Sequence, residues 1–78
     1  MIKYLVLYYY DSKIEVLAVC DTHEQAYAKM EEDYESFFES VRSEGEDYYD
    51  IDSYITLGSA NVTSEFSSCH WDIVKIKL

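Results

Sequence analysis

The chain reads as an α+β protein, a single domain with one antiparallel β-sheet and one long helix packed on one face, in the order ββαβββ. Three observations predict it. β-rich runs fill 2–19 and 51–78, with period-two alternation over 13–19 and 60–66, the helical interval of three and four runs between Tyr27 and Val41, and the strand-like runs are joined by hairpin-length links. Links that short force antiparallel neighbours, and a sheet with one apolar face needs a second layer to cover it. Seventy-eight residues suffice for one such domain and leave little room for a large internal cavity.

The first two runs, 2–10 and 13–19, form a hairpin around Asp11-Ser12. In the first, Ile2, Tyr4, Val6, Tyr8 and Tyr10 share one face while Leu5, Leu7 and Tyr9 share the other. Both faces are apolar, which predicts an interior strand. In the second, Ile14, Val16 and Ala18 alternate with Lys13, Glu15 and Leu17, the pattern of a half-buried strand. Next comes a helix over 22–43. Its start is marked by two alternative capping boxes, Asp21 with Glu24 or Thr22 with Gln25, and its stop by Gly45. Ala26, Tyr27, Met30, Tyr34, Phe37, Phe38 and Val41 form its apolar stripe. An acidic connector over 44–50 leads into a three-stranded meander over 51–78. Its runs are Ile51 to Leu57, Ala60 to Phe66 and His70 to Leu78, with turns at Gly58-Ser59 and Ser67-Ser68.

Sixteen Asp and Glu against six Lys and Arg give a formal net charge of −10. That charge is concentrated. Ten acids and one base, Arg42, lie between Glu31 and Asp52, so this stretch carries −9 and the rest of the chain −1. Like charges at i,i+4, as in Glu31–Glu35 and Glu35–Glu39, cost a helix about 0.2–0.5 kcal/mol per pair. Acids near the helix C-terminus oppose the macrodipole by about 0.3–1 kcal/mol each. A face shaped only for solubility would intersperse cations, so the one-signed cost points to use of the charge itself. Ten carboxylates over about 33 Å of helical length approach the charge spacing of one nucleic-acid strand, about 3.4 Å. Such a limb fits a protein groove built for phosphate, whereas direct binding to nucleic acid or to an anionic membrane is disfavoured. The plainer reading is a solvated helix face.

The other constellations are weaker. Cys20-x-x-His23 and Cys69-His70 offer zinc ligand types, but adjacent residues on a strand point to opposite faces, and both cysteines read as small core hydrophobes. Cys20 and Cys69, at strand ends, lie where a disulfide could form, but a reducing compartment argues against it. Asp47, Asp50 and Asp52 supply oxygen ligands without the EF-hand pattern, so no metal or other cofactor is expected. His23 beside Glu24 and His70 near Asp72 lack a nucleophile elbow or phosphate-cradling loop, and the chain is expected not to be an enzyme. The apolar run from Tyr4 to Tyr10 is too short to span a membrane, and charges at Lys13 and Glu15 interrupt the stretch before Leu17-Ala18-Val19-Cys20. A cytoplasmic location is therefore expected. Tyr48 and Tyr49, flanked by Asp47 and Asp50, combine apolar area with hydroxyls and suit protein contact.

The acidic stretch from Glu31-Glu32-Asp33-Tyr34-Glu35 through Glu46-Asp47-Tyr48-Tyr49-Asp50-Ile51-Asp52 resembles those of small phage-encoded anti-defence proteins, including anti-CRISPR proteins that act as nucleic-acid mimics. The resemblance is one of class and covers about a quarter of the chain. It implies an inhibitor that blocks the basic channel or duplex-reading site of a CRISPR effector in the host cytoplasm. The residues expected to meet the partner are Glu31, Glu35, Glu39, Glu46, Asp47, Tyr48, Tyr49, Asp50 and Asp52. The alternative is a small structural or regulatory adaptor that associates through a sheet edge or through a tyrosine-rich surface including Tyr8 and Tyr10.

Overall fold

The structure, a computed structural model, describes residues 1–43, 51–64 and 67–78. The elements are β1 (Ile2–Tyr10), β2 (Lys13–Cys20), α1 (His23–Ser43), β3 (Asp52–Ile55), β4 (Ser59–Thr63) and β5 (Ser68–Lys77). They form one five-stranded antiparallel sheet in the order β2-β1-β5-β4-β3, with α1 packed on one face. The ββαβββ order and the interior position of β1 are as the sequence predicts.

The first hairpin turns on Asp11 and Ser12, whose φ angles of 52° and 64° are both positive. A two-residue turn needs that geometry to match the twist of its strands. Of the two capping boxes, the Thr22 one forms. Gln25 donates its backbone N–H to Thr22 Oγ1 at 3.1 Å, and its side-chain oxygen accepts from the Asp21 N–H at 3.1 Å. The helix then carries the chain from the β2 edge across the sheet to the opposite edge. From there β3, β4 and β5 return by hairpins, so that β5 closes against β1.

The core lies between α1 and the facing side of the sheet. Trp71, Met30, Val6 and Val62 are its largest fully buried side chains, with Ala26, Val41, Ala60 and Cys69 beside them. Tyr34 and Phe37 meet the Trp71 ring edge-on at 5.8 Å, and Tyr10 meets Phe37 at 5.9 Å. Tyr4, Tyr27 and Tyr34 pack against it half-buried.

One register and three boundaries differ from expectation. In β2 the register steps from Val6↔Ala18 to Leu7↔Val16, leaving Leu17 as the extra residue of a β-bulge. One inserted residue reverses the alternation beyond it. Ala18 and Cys20 therefore face the helix, while Ile14 and Val16, expected to share the face of Ala18, lie exposed on the other side with Val19. β3 ends at Ile55 rather than 57, because Thr56 Oγ1 takes the N–H groups of Gly58 and Ser59 at 3.3 and 3.0 Å and turns the chain early. β4 ends at Thr63 and β5 starts at Ser68. The turn between them is closed by the Ser64 N–H to the Ser67 carbonyl at 2.7 Å and by the Ser67 N–H to Ser64 Oγ at 3.1 Å. Phe66 and the connector 44–50, with the predicted stop at Gly45, lie outside the described residues.

Candidate functional site

The apolar stripe of α1 faces the sheet, which leaves its acids on the outer side. Glu24, Glu32, Glu35 and Glu39 are exposed, and Glu31 is half-buried beside Tyr27. Burial of Tyr27, followed by the neighbouring Glu31 carboxylate and its hydrogen bond, pushes the Tyr27 hydroxyl above its ordinary pKa. Glu31, Glu35 and Glu39 follow one i,i+4 row, each about 6 Å further along the axis. Among the described residues the only ion pair on the helix is Glu39 Oε1 to Arg42 Nη1, at 3.9 Å and exposed to solvent. A pair that long and that wet offsets little charge.

Beside this row a cleft of about 390 Å³ opens between α1 and β3, lined by Tyr34, Glu35, Phe38, Glu39 and Ser53. Its two carboxylates stand next to the tilted ring pair of Tyr34 and Phe38, whose centroids are 6.4 Å apart. Carboxylates beside aromatic faces suit a guanidinium, which can pair with the first and stack on the second.

Two acids of the stretch leave this surface. Asp33 turns toward the sheet and accepts the Trp71 indole N–H on Oδ2 at 2.7 Å, satisfying a donor of a wholly buried ring. Asp52 lies in β3 opposite Thr63, in the set that includes Asn61 and His70 and points away from the helix. The structure thus brings Glu31, Glu35 and Glu39 together and separates Asp52 from them. Glu46, Asp47, Tyr48, Tyr49 and Asp50 lie outside the described residues.

The tyrosine row ending β1 is divided by the pleat. Tyr8 faces the helix side and donates to Glu15 Oε2 at 2.6 Å, a bond that heads the causes raising its pKa, and Tyr10 joins Phe37. Tyr9 points the other way, against the His70 ring at 5.7 Å. His70 sets Nε2 at 3.2 Å from Asp72 Oδ1 and Nδ1 at 3.4 Å from Asn61 Oδ1, with Tyr54 edge-on at 6.5 Å. Burial first, then a hydrogen bond to Asp72, raises the Tyr9 pKa. The sequence pairs His70 with Asp72 but misses Tyr9, Asn61 and Tyr54, because these meet only across the β1–β5–β4–β3 ladder.

Cys20 and Cys69 are both buried free thiols. They sit opposite Tyr4 and Tyr10, at the two ends of β1, roughly 20 Å apart and out of reach of a disulfide. Burial, then the Asp33 charge, pushes the Cys69 thiol up to about 11, and a backbone hydrogen bond at His70 offsets part of that. Such a thiol is a poor nucleophile at neutral pH. Among the described residues no group of three or more His, Cys, Asp or Glu could hold a metal ion, and no helix is long and apolar enough to cross a membrane. Set against protein-family models, curated proteins and solved structures, the chain matches none.

Proposed function

We propose that the chain is a non-enzymatic inhibitor that presents the outer face of α1 to a basic, nucleic-acid-binding surface of another protein and keeps DNA or RNA off it. The observation that carries the reading is the row Glu31, Glu35 and Glu39, where a single exposed arginine accompanies three carboxylates. A row with that spacing offers a phosphate-binding groove what a nucleic-acid backbone offers, periodic negative charge on a rigid rod. The cleft between Tyr34, Glu35, Phe38 and Glu39 supplies a seat for one arginine of the partner. In the host cytoplasm, the channel or duplex-reading site of a CRISPR effector has the required chemistry, in keeping with the resemblance to anti-CRISPR mimics.

A gel-shift assay tests this directly. A panel of RNA-guided effectors is titrated with the chain in the presence of target duplex. Wild type is expected to displace the duplex, less effectively as salt rises, and the triple variant Glu31→Gln, Glu35→Gln, Glu39→Gln is expected to fail while remaining helical. Displacement by the triple variant equal to wild type would remove the helix face from the reading.

A further inference from the structure

The second face of the sheet has no described element over it. From β2 it presents Ile14, Val16 and Val19, 65%, 56% and 62% exposed. Cross-strand register places Leu5, Leu7 and Tyr9 of β1 beside them, and Val74 and Ile76 of β5 beyond, all on the side away from the helix. The bulge at Leu17 creates this surface, since an unbroken alternation would have kept Ile14 and Val16 with Ala18.

We propose that this face is the contact between two copies of the chain, which pair sheet to sheet about a two-fold axis. Charge selects the partner. The charged groups within the patch are few and each has a polar partner. Lys3 pairs with Asp21, and Asp72 is met by His70 and by the Tyr9 hydroxyl. Beyond the Lys3–Asp21 pair the patch therefore carries one carboxylate, Asp72, on a molecule whose helix side repels its own copies. Two copies meet at least electrostatic cost through the sheet, and an apolar face of β-branched and aromatic side chains is self-complementary. Size agrees. The whole open face, five strands about 4.8 Å apart with three of them long, covers roughly 550 Å² per copy, the β2-β1-β5 patch forming its apolar part and the polar residues of β4 and β3, Asp52 among them, its rim, so a pair buries roughly 1,100 Å², just above the size a specific interface requires. Pairing along the β2 edge is the poorer solution, because the bulge interrupts the ladder in the middle of that strand. The dimer holds the two acidic helices on its outer surfaces, roughly 30 Å apart, and leaves both free.

Sedimentation equilibrium of the chain decides the matter. Wild type is expected at twice 9.2 kDa, with an association that added salt leaves unchanged or tightens. Val16→Lys with Val19→Lys, and separately Ile14→Lys, are expected to weaken self-association at least roughly a hundredfold while keeping the wild-type circular dichroism spectrum, because these side chains are already exposed in the protomer. A wild type that stays at 9.2 kDa, or lysine variants that still pair, overturns the proposal. So does a monomer that co-floats with phosphatidylcholine vesicles, which assigns the face to lipid. The inference stands apart from the inhibitor reading, since the Glu→Gln triple variant is expected to lose partner binding while its self-association stays at the wild-type level.

Discussion

Asp33 and Asp11 each do a job that net charge conceals. Asp33 is one of the ten acids of the acidic stretch, yet its carboxylate satisfies the Trp71 indole. Asp33→Ala should cost about 1–3 kcal/mol in chemical denaturation, because a buried donor loses its partner. Asp33→Asn keeps an acceptor and should cost less, without weakening partner binding. At the first turn, Asp11 and Ser12 hold positive φ, a conformation that costs most L-residues about 1–2 kcal/mol. Asp11→Asn with Ser12→Gly should raise stability by about 1 kcal/mol, read from the denaturation midpoint. Cys69 makes the fold sensitive to alkali. Its pKa rises from 9.0 to about 11 on folding, so its stabilising contribution is complete below pH 9 and is lost as pH rises through that window. Tyr8, Tyr9 and Tyr27 are shifted in the same direction from 10.0 and extend the trend upward. The melting temperature should fall steadily above pH 9, and Cys69→Ala should flatten the first part of that fall.

At the scale of elements, α1 trades stability for charge. Its ends are well made, with Thr22 and Gln25 capping the start, Glu24 in the first turn and Arg42 in the last. Its middle carries the i,i+4 repulsions. Replacing Glu31, Glu35 and Glu39 by Gln should therefore raise helix stability by about 0.5 kcal/mol while lowering affinity for a basic surface, two opposite signs from one variant. A destabilised variant would mean that these carboxylates support the fold instead. The helix was legible in the sequence because its apolar stripe repeats over about four turns and its cap residues sit next to the first repeat. β2 was legible as a strand but not as two half-strands of opposite parity. A bulge adds no distinctive residue type, and Leu17 is as apolar as its neighbours, so nothing local marks where the alternation inverts. The ends of β3 and β4 were misplaced for a related reason. Thr56, Ser64 and Ser67 turn the chain with side-chain hydroxyls, which leave a fainter signature than Gly or Pro.

The molecule as a whole has two unlike sides. One is a helix whose outer face carries Glu24, Glu32, Glu35 and Glu39 against Lys29 and Arg42, and the other is an open sheet whose β2-β1-β5 portion is apolar and carries little charge. Fold class and element order were readable because hairpin-length links leave few topologies open. The closure of β5 on β1 was not, since it joins residues some seventy positions apart. That pairing also assembles His70 with Tyr9, which explains why the cluster stayed hidden. The acidic stretch was visible as a count along the chain, but the count merged three orientations, with Glu31, Glu35 and Glu39 outward, Asp33 inward and Asp52 on the opposite side of the sheet. The most direct measurement of the central claim is capture on immobilised wild-type chain from host lysate, with and without competing nucleic acid, beside the Glu31, Glu35 and Glu39 to Gln variant. The expected result is a basic nucleic-acid-binding protein that is retained at low salt, released by added DNA or RNA, and not held by the variant. Retention that is equal on the variant and indifferent to nucleic acid would contradict it.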